Sequence, residues 1–122
     1  MDLYLPARRS GPAATVVCIH GGGWKGGGKD RLAWMAADLA SRGFAAATVT
    51  YRFWPEWRCP AAMDDAERAV RWLRSRAETH GLDAARVGAI GGSAGGHLAS
   101  WLGLVETRDN SDASLACYSS KV

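Results

Sequence analysis

The chain has 122 residues, 48% of them apolar, and its 15 basic and 12 acidic side chains give a formal net charge of +3. That length supports one small domain with a core of its own, and so mild a charge balance gives no footing for a nucleic-acid partner. Cys18, Cys59 and Cys117 are odd in number and widely spaced, which argues against a disulfide framework or a zinc site, and no apolar stretch reaches membrane-spanning length. No metal, cofactor or membrane partner is expected, and the oligomeric state is left open. Met1-Asp2 opens straight onto a strand-like segment without a signal-peptide pattern. The expected location is therefore the cytoplasm, provided Met1 is the natural start.

In chain order, apolar runs alternate with helical patterns, which predicts an α/β fold with a parallel sheet. Leu3-Tyr4-Leu5 before Pro6 reads as a short edge strand, and Thr15 to Ile19 as a buried strand in which Cys18 is a buried free thiol. A loop made mostly of glycine follows, from Gly21 to Gly28. Leu32, Met35, Ala36, Leu39 and Ala40 keep helical spacing, and Gly43 ends that helix. Phe44 to Thr50 is the second core strand, followed by a loop containing Pro55 and Pro60. Met63, Ala66, Val70, Leu73 and Ala77 form the apolar face of the next helix, which stops at Gly81. Its Arg68, Arg71 and Arg74, interleaved with Asp64, Asp65 and Glu67, read as a solvated face. Arg86 to Ile90 is a third short strand, Gly91 to Gly96 a sharp turn, and His97 to Val105 the start of another helix. From Glu106 onward the pattern dissolves, with no finished element after Leu115.

Two segments carry chemistry. Gly91-Gly92-Ser93-Ala94-Gly95 fits G-x-S-x-G between an apolar strand and a helix, the context a nucleophile elbow requires. Small residues on both sides allow the strained turn, with positive φ expected at Ser93. The competing reading is a plain glycine turn with a capping serine. His20-Gly21-Gly22-Gly23-Trp24 ends the first core strand. It supplies the partner expected of such an elbow, a loop whose backbone N–H groups can approach a tetrahedral oxygen closely. His20 reads as a residue that fixes the loop rather than as a base.

Two nucleotide readings of the same loop fit less well. Gly21-x-Gly23-x-x-Gly26 matches a dinucleotide fingerprint, but the next strand ends in Tyr51-Arg52 with no acid for a ribose. Gly23-x-x-x-x-Gly28-Lys29-Asp30 resembles a P-loop, but Asp30 stands where Mg²⁺ needs a hydroxyl. Asp30 is better placed as a residue near a helix start.

With both motifs in register, the chain resembles the α/β-hydrolase carboxylesterases related to hormone-sensitive lipase, and is similar to bacterial acetyl- and feruloyl-xylan esterases. The likeness rests on Asp2 to Pro6, His20 to Trp24, Tyr51-Arg52-x-x-Pro55-Glu56 with Pro60-Ala61-Ala62-x-x-Asp65, and Gly91 to Ala99. It covers the chain to about residue 105. The resemblance implies a three-layer α/β/α fold of the α/β-hydrolase type. It implies Ser93 as nucleophile and oxyanion donors from the backbone of Gly22, Gly23 and Ala94. It implies that Tyr51, Arg52 and Asp65 brace the oxyanion loop, with an Arg52–Asp65 salt bridge. Trp54 departs from the small residue common there; it either narrows an acyl pocket or simply packs. His97 corresponds to a helix position beyond the elbow, a packed or capping histidine.

In this fold the triad runs Ser, then Asp or Glu, then His. Glu106, Asp109 and Asp112 follow Ser93, but no histidine follows His97. The expectation is a partial domain over residues 1–122, the N-terminal half of the fold with a truncated parallel sheet, and with neither the triad acid nor the histidine. The expected substrate is a small carboxylic ester. An amide hydrolase of the same fold, of arylformamidase or prolyl-oligopeptidase type, and a non-catalytic hydrolase-like binding protein remain open.

Overall fold

The computed structural model describes residues 1–108 and 111–122. Asp109, one of the carboxylates that follow Ser93 in sequence, lies outside the described residues. Among the described residues four strands form one sheet: β1 (Asp2–Tyr4), β2 (Ala13–Ile19), β3 (Ala45–Val49) and β4 (Leu82–Gly91), in the order β1-β3-β2-β4. β3, β2 and β4 are parallel, while β1 pairs antiparallel with β3. The sheet is therefore mixed rather than wholly parallel. The loop from Leu5 to Pro12 lets the chain reverse beside β3, a partner choice that no local pattern encodes.

The helices lie on both faces. α1 (Ala33–Ser41) covers one side, where Cys18, Ala36 and Ala46 are buried together. α2 (Ala61–Ser75) and α4 (Ala94–Leu104) cover the other, with Val70, Leu73, Leu98 and Leu102 packed on Val17, Ile19, Ala47 and Val49. The alternation along β2 and β3 assigns successive residues to opposite layers, and β3 is buried along its whole length because both faces are covered. A short helix, α3 (Ala77–His80), closes on Gly81 in the left-handed conformation at φ 63°. Among the described residues β4 pairs with β2 alone, so its far side is an open sheet edge. Two elements start earlier than their apolar cores suggest, β4 at Leu82 and α4 at Ala94, directly after the serine, while β3 is shorter than Phe44 to Thr50 and the helix expected to reach Gly81 ends at Ser75, before α3.

The α2 charges are a correction. Arg71 and Glu67 are buried, not solvated. Arg71 Nε donates to Leu115 O at 3.0 Å, and Arg74 donates to Ala84 O and Ser119 O. Burial draws the Arg74 guanidinium pKa below its ordinary value. Glu67 accepts from Trp101 Nε1 at 2.9 Å and from the Arg108 backbone N–H at 2.8 Å. This face of α2 is covered by the segment after α4, including the short 3₁₀ turn Ala113–Leu115, and Val122 N–H bonds back to Leu102 O. Among the described residues no helix is long and apolar enough to cross a membrane.

Glu67→Ala is expected to destabilise the chain by about 1–3 kcal/mol, because two part-buried donors, Trp101 Nε1 and the Arg108 N–H, lose a charged acceptor at once. Glu67→Gln, which keeps one acceptor oxygen, should cost less. Urea midpoints at constant slope measure both, and an unchanged midpoint in Glu67→Ala would mean that the segment after α4 is not docked on this carboxylate.

Candidate active site

The three parallel strands end level with one another: Ile19 pairs with Val49 on one side and with Gly91 on the other. Three loops therefore leave the sheet side by side at its carboxyl edge, where α/β sheets bind ligands. They are the glycine loop after β2, the Tyr51-Arg52 loop after β3, and the Gly92-Ser93 turn after β4.

Ser93 stands between β4 and α4 with φ 53° and ψ −121°, the positive φ expected from its small neighbours. For a residue with a Cβ this conformation costs on the order of 1–3 kcal/mol, and it persists only where the surroundings fix it. Those surroundings are tight. A Cβ on Gly95 would collide with the carbonyl oxygen of Ile19, so only glycine lets the first turn of α4 sit on the end of β2. Ser93 itself is exposed. Its hydroxyl makes no hydrogen bond among the described residues, and its carbonyl accepts from His97 N at 3.0 Å.

The glycine loop lies against this turn. A Cβ built on Gly21 would stand 2.8 Å from Gly92 O and 3.4 Å from Ser93 Cβ. Gly22 adopts φ 135°, which a side chain does not tolerate, and a Cβ there would strike Gly26 O. The backbone N–H groups of Gly22, Gly23 and Ala94 donate to no acceptor among the described residues. They are the three donors named from the sequence, brought to one edge together with Ser93.

His20 is buried and holds the base of the loop. Its Nδ1 lies 2.7 Å from Gly21 O, and its ring stacks on Tyr51 with centroids 4.6 Å apart. Tyr51 Oη donates to His20 O at 3.0 Å. Burial pushes the Tyr51 phenol upward, opposed by the charge of Arg31, so the group stays a neutral donor at neutral pH. Asp65 takes the Arg52 backbone N–H at 2.8 Å and its guanidinium at 2.8–3.0 Å, which forms the anticipated salt bridge. His97 is exposed and packs edge-on against Trp24, with centroids 5.6 Å apart. Lys29, the lysine of the P-loop reading, is ion-paired with Asp2 at 2.5 Å, away from the glycine turn.

Beside the glycine loop lies a cavity of about 380 Å³, lined by Trp24, Lys25, Arg52, Trp54, Trp57 and Met63 among others. Of these, only Trp54 is expected from the sequence to border a pocket. The aromatic pair at a three-residue interval, Trp54 and Trp57, was the available signal for the rest.

The chain matches the model of one family, BD-FAE, over residues 1–122. It is 44% identical over 92 residues to an ethyl acetate hydrolase of Pseudomonas putida, a match covering 73% of this chain and 28% of that protein. It is 35% identical over 105 residues to an arylacetamide deacetylase of Oryctolagus cuniculus, covering 80% of this chain and 26% of the other. A butyrate-bound esterase structure from Thermogutta terrifontis superposes with a TM-score of 0.86 at 31% identity, over 98% of this chain and 44% of that one. The chain thus spans between a quarter and a half of the length of these proteins.

Two substitutions test the site's construction. Ser93→Gly should be more stable than Ser93→Ala by about 1 kcal/mol, because glycine accepts the positive φ without strain; equal unfolding midpoints would remove the strained turn. Tyr51→Phe should cost about 1 kcal/mol and speed hydrogen exchange at the amides of Gly21 to Trp24. Unchanged exchange there would show that the phenol does not hold the loop.

Proposed function

The chain belongs to the BD-FAE family, and from that premise we propose that it carries the nucleophile and oxyanion side of a carboxylic ester hydrolase of the carboxylesterase or acetylesterase type. The observation that carries the reading is the strained Ser93 beside three backbone amides that have no acceptor among the described residues. In this reading Ser93 Oγ attacks the ester carbonyl carbon. The N–H groups of Gly22, Gly23 and Ala94 donate to the resulting oxyanion, collapse expels the alcohol, and water then cleaves the acyl-enzyme. The N-terminal end of α4 adds its dipole to the same charge. The acid and the histidine that activate Ser93 belong, in this proposal, to chain outside these 122 residues, since no histidine follows His97. The 122 residues are then a partial domain, the N-terminal half of the α/β-hydrolase fold. The proposed partner is a small-molecule ester and the proposed location the cytoplasm.

A second reading, an amidase of the same fold, is favoured by the relative named arylacetamide deacetylase. Comparing p-nitrophenyl acetate with p-nitroacetanilide separates the two.

In a protein that includes the missing acid and histidine, Ser93→Ala should lower kcat on p-nitrophenyl acetate by about 10⁴-fold or more, while His97→Ala leaves it near wild type. The 122-residue chain alone, shown folded by circular dichroism, should turn over at about the Ser93→Ala level. Full activity of the folded chain, abolished by both Ser93→Ala and His97→Ala, would place the base at His97 and overturn this assignment.

A further inference from the structure

The cavity beside the glycine loop has a lopsided lining. Trp24, Trp54, Trp57 and Met63 supply apolar surface, while its charged side chains are Lys25 and Arg52. No carboxylate lines it, and Glu56, between the two tryptophans in sequence, is exposed and outside the lining. The two cations differ. Arg52 is held by Asp65 through contacts of 2.8–3.0 Å and stands 5.0 Å over the Trp57 ring. Lys25 forms no ion pair among the described residues, and its Nζ stands 4.8 Å over the ring of Trp54. Lys25 therefore keeps its hydrogen-bond donors available at the cavity wall.

This arrangement decides the sign of a ligand. Three tryptophans around one space could form a cage for a cation. Here protein cations already occupy the faces of Trp54 and Trp57, and a cationic ligand would meet both charges. An anion would meet an ammonium without a carboxylate competitor. The volume suits an aromatic ring with a short chain.

We propose that this cavity binds a flat apolar group bearing a carboxylate, with the ring against the apolar lining and the carboxylate on Lys25 Nζ. Lys25 is then a specificity-determining residue that favours esters carrying an anionic group remote from the scissile bond. That the substrate is an ester rests on the proposed function. Gly23 and Trp24 are shared between the cavity wall and the glycine loop, so a ligand here lies next to the oxyanion donors.

Binding tests this without turnover. The 122-residue chain, shown folded by circular dichroism, is titrated with 4-phenylbutyrate and with 4-phenylbutanamide, alike in shape and different in charge, by calorimetry and tryptophan fluorescence. The carboxylate is expected to bind about tenfold more tightly, and the gap should shrink in 0.5 M NaCl. Lys25→Met, which keeps the apolar stem, should bring the carboxylate to the amide's affinity and leave the amide unchanged. Trp54→Leu should weaken both. Ser93→Ala should bind both as wild type does, so a failed esterase assignment and a failed cavity assignment give different results. Equal affinities in the wild-type chain, a gap that survives Lys25→Met, or no binding of either probe at millimolar concentration would each overturn the proposal.

Discussion

The carbonyl end of β2 is the constraint on which the rest of the site depends. The Ile19 carbonyl lies so close to Gly95 that no side chain fits between them, and the next carbonyl, His20 O, accepts the Tyr51 hydroxyl at 3.0 Å. One peptide segment thus touches the elbow helix on one side and the brace after β3 on the other. A change of about an ångström in this register would move the glycine loop relative to Ser93, and positional errors of that size cost catalysts heavily. The small residues of the elbow are demanded by this contact as much as by the turn itself.

Much of this was legible in the sequence because the signals were local. A serine flanked by glycine and alanine between an apolar strand and a helix allows few geometries, and the glycine loop after the first core strand is equally restrictive. The Arg52–Asp65 pair came through resemblance, and its contacts are as anticipated. What escaped were partners distant in sequence. Arg71 and Glu67 look like surface charges on a helical wheel. Their burial depends on a segment more than 40 positions later, whose own pattern is weak. β1 shows the same limit: its strand character was readable, but its antiparallel pairing depends on which edge of the sheet the following loop leaves open.

The buried charges on α2 bear on how firmly the site is held. A charged group removed from water is tolerated only with partners in good geometry. Glu67 has Trp101 Nε1, from the last turn of α4, as one of its partners. This bond therefore fixes the rotation and depth of α4 against α2, and with them the position of the helix end that carries Ser93. A side chain that never approaches the serine contributes to the geometry of the turn through the helix it anchors.

The strain at Ser93 can be weighed against what opposes its release. The unfavourable dihedral costs on the order of 1–3 kcal/mol. Relaxing it would require α4 to rotate or withdraw. Leu98 and Leu102, both fully buried on the sheet, each represent about 1.5–3 kcal/mol of apolar burial. Partial loss of those contacts, added to the loss of the Glu67–Trp101 bond, exceeds the strain. The turn is thus held by packing already complete within these residues, and no histidine or acid is needed to hold it. The Ser93 turn and the glycine loop therefore form one packed unit, and in the proposed function an activating base is added to it rather than assembling it.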